Sequence, residues 1–150
     1  MYNNIINMDS KKEKEISDII QHFNRQISKI FKLVESMDDI QNNLDFDWVK
    51  RVVKIAKNVN PSYIIDRSID KLWDSREFII NRDEQFIISN HADKYIEDDC
   101  RKEWMEGLFQ FIRSKYTVLK KEEITYLWDC INNMLEAVIK YRIIKQDFAK

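Results

Sequence analysis

The segment that decides the fold is residues 16–34, which read ISDIIQHFNRQISKIFKLV. Its large apolar residues recur at steps of three and four, namely Ile16, Ile19, Ile20, Phe23, Ile27, Ile30, Phe31 and Val34. This spacing places them on one stripe of a helix, because an α-helix turns once in about 3.6 residues. The residues from Ser10 to Glu13 fit a capping box that would start such a helix. We therefore predict a first helix from Ser10 to about Glu35.

Helical periodicity recurs further along the chain, at about residues 45–59, 61–75, 96–115 and 120–145. Asn60-Pro61 separates two of these stretches, since Pro61 fits the first turn of a new helix and leaves Asn60 free to cap it. Residues 78–88 hold two apolar triplets around a polar turn and could form a hairpin. We favour two short helices there, because an isolated hairpin is marginal in water.

Composition predicts an all-α fold, with a single compact domain of five to six helices over residues 1–150 and a flexible stretch at residues 1–9. A length of 150 residues suits one domain, and one Gly and one Pro leave no glycine-rich phosphate loop. Two His and two Cys cannot complete an ordinary zinc site. We expect no enzyme activity, no catalytic residue, no cofactor and no metal. The acidic run Glu97-Asp98-Asp99, near His91 and Cys100, is expected to be structural, because carboxylates favour the first turn of a helix.

The charged residues nearly balance, with 25 Lys and Arg against 26 Asp and Glu. No global field therefore attracts a polyanion, and no apolar run is long enough to span a membrane. The second helix is predicted to turn Val49, Val52, Val53, Ile55, Ala56 and Val59 inward. Its opposite face would carry a possible polyanion-binding set, Lys50, Arg51, Lys54 and Lys57. Nucleic acid is not the expected partner, because no aromatic residue is interleaved with these cations to stack a base.

Four short motifs occur in order along the chain. They are Phe23-Asn24-Arg25-Gln26-Ile27, then Asn60-Pro61, then the residues from Ile80 to Ile87, and Tyr126-Leu127-Trp128. Together they resemble a family of small uncharacterised helical proteins of nucleocytoplasmic large DNA viruses, over about residues 20–142. Ile, Asn and Lys make up 52 of the 150 residues, a usage typical of AT-rich genes such as those of some viruses.

The resemblance implies a viral protein that binds another protein and is located in the virion or the host cytoplasm. The expected role is a minor capsid or inner virion component whose partner is a viral structural protein. Partner binding is predicted at Asp83, Glu84 and Phe86, or at the loop from Ser36 to Asn43, because neither lies in a long helix. The alternative is a helical inhibitor of host signalling or apoptosis, similar to those of poxviruses, that binds a host protein. A nucleic-acid-binding module that uses the cationic face of the second helix is a further alternative.

Overall fold

The computed structural model of the chain describes residues 2–36, 44–88, 113 and 116–149. These residues are mostly α-helical and include no strand, which confirms the predicted all-α class. The helices are α1 (Tyr2–Glu35), α2 (Leu44–Val59), α3 (Tyr63–Asp74), α4 (Arg76–Ile80), α5 (Glu84–Ile88) and α6 (Lys121–Ala149). None of these described helices combines the length and hydropathy that a bilayer-spanning segment requires.

Most predicted helix boundaries agree with the structure. Residues 78–88 belong to two short helices and not to a hairpin, and the predicted second, third and last helices correspond to α2, α3 and α6. The predicted start of the first helix at Ser10 is wrong, because α1 already begins at Tyr2. No Gly or Pro interrupts the preceding residues, and a Ser-Lys-Lys-Glu sequence is also tolerated inside a helix. The predicted helix at residues 96–115 lies outside the described residues, except for Arg113.

The longest helices, α1 and α6, form an antiparallel pair at the centre of the fold. In the C-terminal half of α1, Gln26 accepts a hydrogen bond of 3.3 Å from Asn133 of α6. Earlier in α1, Phe23 shares a buried cluster with Tyr141, whereas the later Ile30 shares one with Leu127. Residue numbers therefore rise along one helix as they fall along the other. This pairing uses the apolar stripe of residues 16–34 that the sequence predicts.

Two buried clusters extend along the α1–α6 pair. The larger one joins α1, α2, α3 and the C-terminal half of α6, and its buried members are Phe23, Ile27, Phe31, Val34, Val53, Ile64, Ile65, Ala137, Val138 and Tyr141. The smaller one surrounds the N-terminal half of α6 and comprises Ile30, Ile87, Tyr116, Leu127, Trp128 and Cys130. Each fully buried large apolar side chain stabilises the fold by about 1.5–3 kcal/mol relative to an exposed one. The apolar stripe of α1 contributes buried residues to both clusters and therefore connects them.

Helix α2 contributes less to the core than its sequence predicts. Val53 is buried, but Ile55 is 57% exposed and Val59 is 80% exposed, so the prediction that both face inward is wrong. Val49 and Val52 were also predicted to face inward, and their side chains lie outside the described residues. An apolar residue on a short helix is buried only where a neighbouring element covers it, and the stripe of α2 is wider than its covered face.

Candidate binding site

The cationic residues predicted on α2 converge on one open groove with a volume of about 520 Å³. The described residues that line the groove are Lys50, Arg51, Lys54, Lys57, Phe31 and Val53. Phe31 comes from α1 and the others come from α2, so the groove follows the junction of these two helices. The structure thus brings together all four members of the predicted polyanion-binding set.

Two of the four cations, Lys50 and Lys57, flank the buried edge of α2. Lys50 and Lys57 stand three and four positions from Val53, which is a spacing that shares one side of a helix, whereas Arg51 and Lys54 stand two and one positions from Val53 and do not share its side. Val53 is 2% exposed and Phe31 is 8% exposed, so both form the floor beneath the cationic rim. The prediction that the four cations occupy the face opposite the apolar residues is therefore wrong for Lys50 and Lys57. The groove combines an apolar floor with a basic edge.

Only part of the positive charge in the groove is neutralised within the chain. Lys50 forms an ion pair with Glu35 at the end of α1. Arg51, Lys54 and Lys57 have no carboxylate within ion-pair distance among the described residues. Arg51 and Lys54 are exposed, and Lys57 is half-buried. Three groove cations are therefore without an ion-pair partner in the described part of the chain.

The predicted partner-binding motif at residues 83–86 forms the turn between α4 and α5. Arg82 has a positive φ of 49°, and its N–H donates to the Ile79 carbonyl. The Asp83 N–H donates to the Phe78 carbonyl at 2.9 Å, which completes the Schellman pattern that ends many helices. The Asp83 side chain accepts a 3.0 Å hydrogen bond from the Gln85 N–H and so caps α5.

The second acidic residue of this motif, Glu84, is joined to the smaller core cluster. Its Oε1 accepts a 3.3 Å hydrogen bond from the Tyr116 hydroxyl, which itself accepts a 3.0 Å bond from Trp128 Nε1. Burial, together with the nearby Glu84 carboxylate, raises the pKa of Tyr116 above its ordinary value. Both acidic side chains of the motif thus have intramolecular roles. Partner binding by Asp83, Glu84 and Phe86 stays a prediction, and the Phe86 side chain lies outside the described residues.

The Asn60-Pro61 motif organises the turn from α2 to α3. Asn60 Oδ1 accepts the Ser62 N–H at 3.1 Å within this turn. The prediction that Asn60 caps a helix starting at Pro61 is wrong, because α3 begins at Tyr63 and its N-cap residue is Ser62. The Ser62 hydroxyl lies within hydrogen-bond distance of both Asn60 and the Asp66 carboxylate. Asp66 also accepts a 2.5 Å hydrogen bond from the Tyr141 hydroxyl of α6. Burial and the Asp66 carboxylate both raise the pKa of Tyr141 well above that of a free tyrosine.

The Phe23-Asn24-Arg25-Gln26 motif also has a packing role. Phe23 is fully buried, and the Asn24 side-chain amide donates a 3.0 Å hydrogen bond to the Pro61 carbonyl. Gln26 is 1% exposed and bonds to Asn133 across the helix pair. The motif therefore links α1 both to α6 and to the turn before α3.

Sequence analysis missed a second, smaller feature beside His22. His22 is exposed, and it lines a cavity of about 160 Å³ together with Asp18, Glu136 and Lys140. Asp18 stands four residues before His22, which is a helical spacing that the sequence alone reveals. Among the described residues, no group of three His, Cys, Asp or Glu side chains is placed to hold a metal ion.

The remaining candidates for chemistry are thiols and acidic residues. Cys130 is 2% exposed, and burial raises the pKa of its thiol, which disfavours the reactive thiolate. Cys100, His91 and the run Glu97-Asp98-Asp99 lie outside the described residues, as do residues 37–43 of the predicted partner-binding loop.

Comparisons of the chain with protein-family models, with curated proteins and with solved structures give no match. The resemblance to a viral family therefore stays a prediction from the four motifs. Function has to be argued from the described surface.

Proposed function

We propose that the chain is a non-enzymatic binding protein whose partner is an acidic protein, and that the groove between α1 and α2 is the binding surface. The observation that carries this proposal is the set of three cations, Arg51, Lys54 and Lys57, which border one open groove and have no ion-pair partner in the described part of the chain. Opposite charges across an interface accelerate association and select the correct partner. An acidic partner would supply the carboxylates that the groove lacks.

The turn between α4 and α5 supports partner binding less well than the groove does. Asp83 already caps α5, and Glu84 already accepts the Tyr116 hydroxyl. A partner that engaged either carboxylate would compete with these internal hydrogen bonds. Within the described residues, Arg51, Lys54 and Lys57 of the groove form no ion pair that a partner would have to displace.

On the basis of the viral resemblance, we propose that the acidic partner is a structural protein of a virus particle. Mass spectrometry of particles purified from infected cells tests that setting directly. We expect the chain to copurify with the particles at a constant ratio to their structural proteins. Its absence from purified particles would contradict the virion role.

A binding measurement tests the groove itself. We expect the wild-type protein to bind immobilised polyglutamate at about 50 mM salt and to lose this binding as salt approaches about 200 mM, because salt screens exposed charges. The triple variant with Arg51→Glu, Lys54→Glu and Lys57→Glu should not bind.

The matched control reverses three exposed cations outside the groove, Lys11, Lys14 and Lys121. Both triple variants change the net charge equally, so only the position of the charges differs. Equal losses of binding in the two variants would show that the groove has no special role. Failure of the wild-type protein to bind polyglutamate would contradict the proposed function.

A further inference from the structure

The side of α2 that faces away from the core carries two exposed apolar residues. Ile55 is 57% exposed and Val59 is 80% exposed, which makes Val59 the most exposed large apolar side chain in the described part of the chain. Arg51, Ile55 and Val59 follow one another at intervals of four residues, so they form one row of about 12 Å at a rise of 1.5 Å per residue. We call this row, together with the neighbouring Lys54, the outer ridge of α2.

The apolar pair in the outer ridge is unlike the other exposed apolar residues. Single apolar side chains at a protein surface are common and need no explanation, whereas adjacent ones indicate a contact with a partner. Ile55 and Val59 stand one turn apart on the same helix. No two of the other exposed large apolar residues among those described do so, namely Ile80, Val118, Tyr126 and Ile143.

The outer ridge is basic as well as apolar. Residues 50–59 contain four cations and neither Asp nor Glu. Arg51 and Lys54 are exposed and have no carboxylate within ion-pair distance in the described part of the chain. Arg51 precedes Ile55 by one helical turn and Lys54 precedes it by one residue, so positive charge borders the apolar pair. Because Arg51 and Lys54 also line the groove, the ridge is continuous with the proposed binding surface.

We infer that the outer ridge is the apolar part of the binding surface, and that the acidic partner covers Ile55 and Val59 with aliphatic side chains flanked by carboxylates. This inference rests on the proposed function and adds a second chemical requirement for the partner. Protein interfaces surround an apolar centre with a polar rim. The hydrocarbon stems of Arg51 and Lys54 extend the apolar contact, while their charged ends meet the carboxylates.

The chemistry of the ridge favours a protein over a nucleic acid or a lipid surface. Ile and Val side chains cannot stack on the bases that aromatic residues hold in single-stranded nucleic acids. A helix that lies in a membrane surface buries a long apolar face with Trp, Phe or Leu, whereas Ile55 and Val59 extend over only about 6 Å. A protein can cover so small a patch and match its charges at the same time.

Two acidic peptides of equal length and equal charge test the inference. One carries Leu between its Glu residues, and the other carries Gln at the same positions. Binding of each peptide to the full-length chain is measured by fluorescence anisotropy at low salt, where exposed charges are least screened. The test variant is Ile55→Ser with Val59→Ser. The matched control makes the same two exchanges elsewhere, at Ile143 and Val118, which are 55% and 69% exposed.

We expect the wild-type protein to bind the Leu peptide about tenfold more tightly than the Gln peptide, a difference of about 1.4 kcal/mol. Ile55→Ser with Val59→Ser should remove this preference and leave the binding of the Gln peptide unchanged, because the cations remain. The control should keep the preference. Arg51→Glu with Lys54→Glu should weaken the binding of both peptides. Urea denaturation should show little change in either serine pair, because exposed residues contribute little to stability.

Two results with the peptides would overturn the inference. Equal binding of both peptides by the wild-type protein would show that the partner is recognised by charge alone, and the proposed function would stand. Loss of the preference in the control as well would show that Ile55 and Val59 have no special role. Binding of neither peptide would contradict the proposed function together with the inference.

Two further measurements test other occupants of the ridge. Vesicles of phosphatidylserine and phosphatidylcholine that bind the wild-type protein, but not Ile55→Ser with Val59→Ser, would assign the ridge to a lipid surface. A dimer in analytical ultracentrifugation that this variant abolishes would assign the ridge to a second copy of this chain. Either result would overturn the inference, and we expect neither.

Discussion

The two ends of α6 are anchored by similar hydrogen bonds that differ in what surrounds them. At the N-terminal end, the indole of Trp128 donates to the Tyr116 hydroxyl, and both residues are buried. At the C-terminal end, the buried Tyr141 donates a hydrogen bond to Asp66, which is an exposed residue. Removing the hydrogen-bond partner of a group that can reach water destabilises the fold less than removing the partner of a group enclosed in the core. The first anchor should therefore be the more sensitive to mutation.

The largest effect is expected from Tyr116→Phe. This change leaves the Trp128 N–H buried without its acceptor, and we expect a loss of about 2 kcal/mol in the free energy of unfolding. Urea denaturation measures the loss. Trp128→Phe in the Tyr116→Phe background removes the orphaned donor, so the two changes together should cost less than the sum of the single changes. Strict additivity would show that this hydrogen bond does not stabilise the fold.

A second test examines the C-terminal anchor at alkaline pH. Burial and Asp66 raise the pKa of Tyr141 above the ordinary tyrosine value of about 10, so the folded state holds its proton more tightly than the unfolded state does. The stabilisation is complete below pH 10 and is lost as the pH rises towards the folded-state pKa, by at most about 1.4 kcal/mol per pH unit for one proton. Thermal melting between pH 9 and about pH 11 measures this slope. Tyr141→Phe should reduce the slope, and an unchanged slope would contradict the role of Tyr141.

At neutral pH, Tyr141→Phe should cost less than Tyr116→Phe, about 1 kcal/mol. Asp66 keeps its contact with Ser62 and also reaches water, so no buried group is left without a partner. Urea denaturation of the two variants under the same conditions gives the comparison directly. A larger loss for Tyr141→Phe than for Tyr116→Phe would reverse the order of the two anchors.

The sequence predicts the two helices of the central pair well, although not their pairing, because long apolar stripes determine each of them. Large apolar residues at helical spacing over residues 16–34 have one stable arrangement, in which they pack against another apolar stripe such as that of α6. The same method is less successful for α2. Its apolar residues cover more of the surface than its neighbours bury, so Ile55 and Val59 are predicted inward and are exposed.

The candidate groove was predicted only in part. The four cations are visible in the sequence, but the apolar floor depends on Phe31, which α1 brings beside α2. Such a contact between helices has no local signal. The turn at Arg82 is similar, because the sequence has no Gly there to indicate a positive φ.

Arg82 provides the smallest and most specific test, at the surface beside the N-terminal anchor. Its left-handed backbone costs a residue with a Cβ about 1–2 kcal/mol, while its exposed ion pair with Asp129, at 2.5 Å, contributes about 0–1 kcal/mol. Arg82→Gly removes both the backbone strain and the ion pair, and it also increases the conformational entropy of the unfolded state. The net change in the free energy of unfolding should therefore lie within about 0.5 kcal/mol. Arg82→Ala loses the ion pair but keeps the strained backbone, and it should be less stable than Arg82→Gly by several tenths of a kcal/mol. Thermal denaturation of the two variants measures this difference, and an alanine variant as stable as the glycine variant would show that the turn does not require a positive φ.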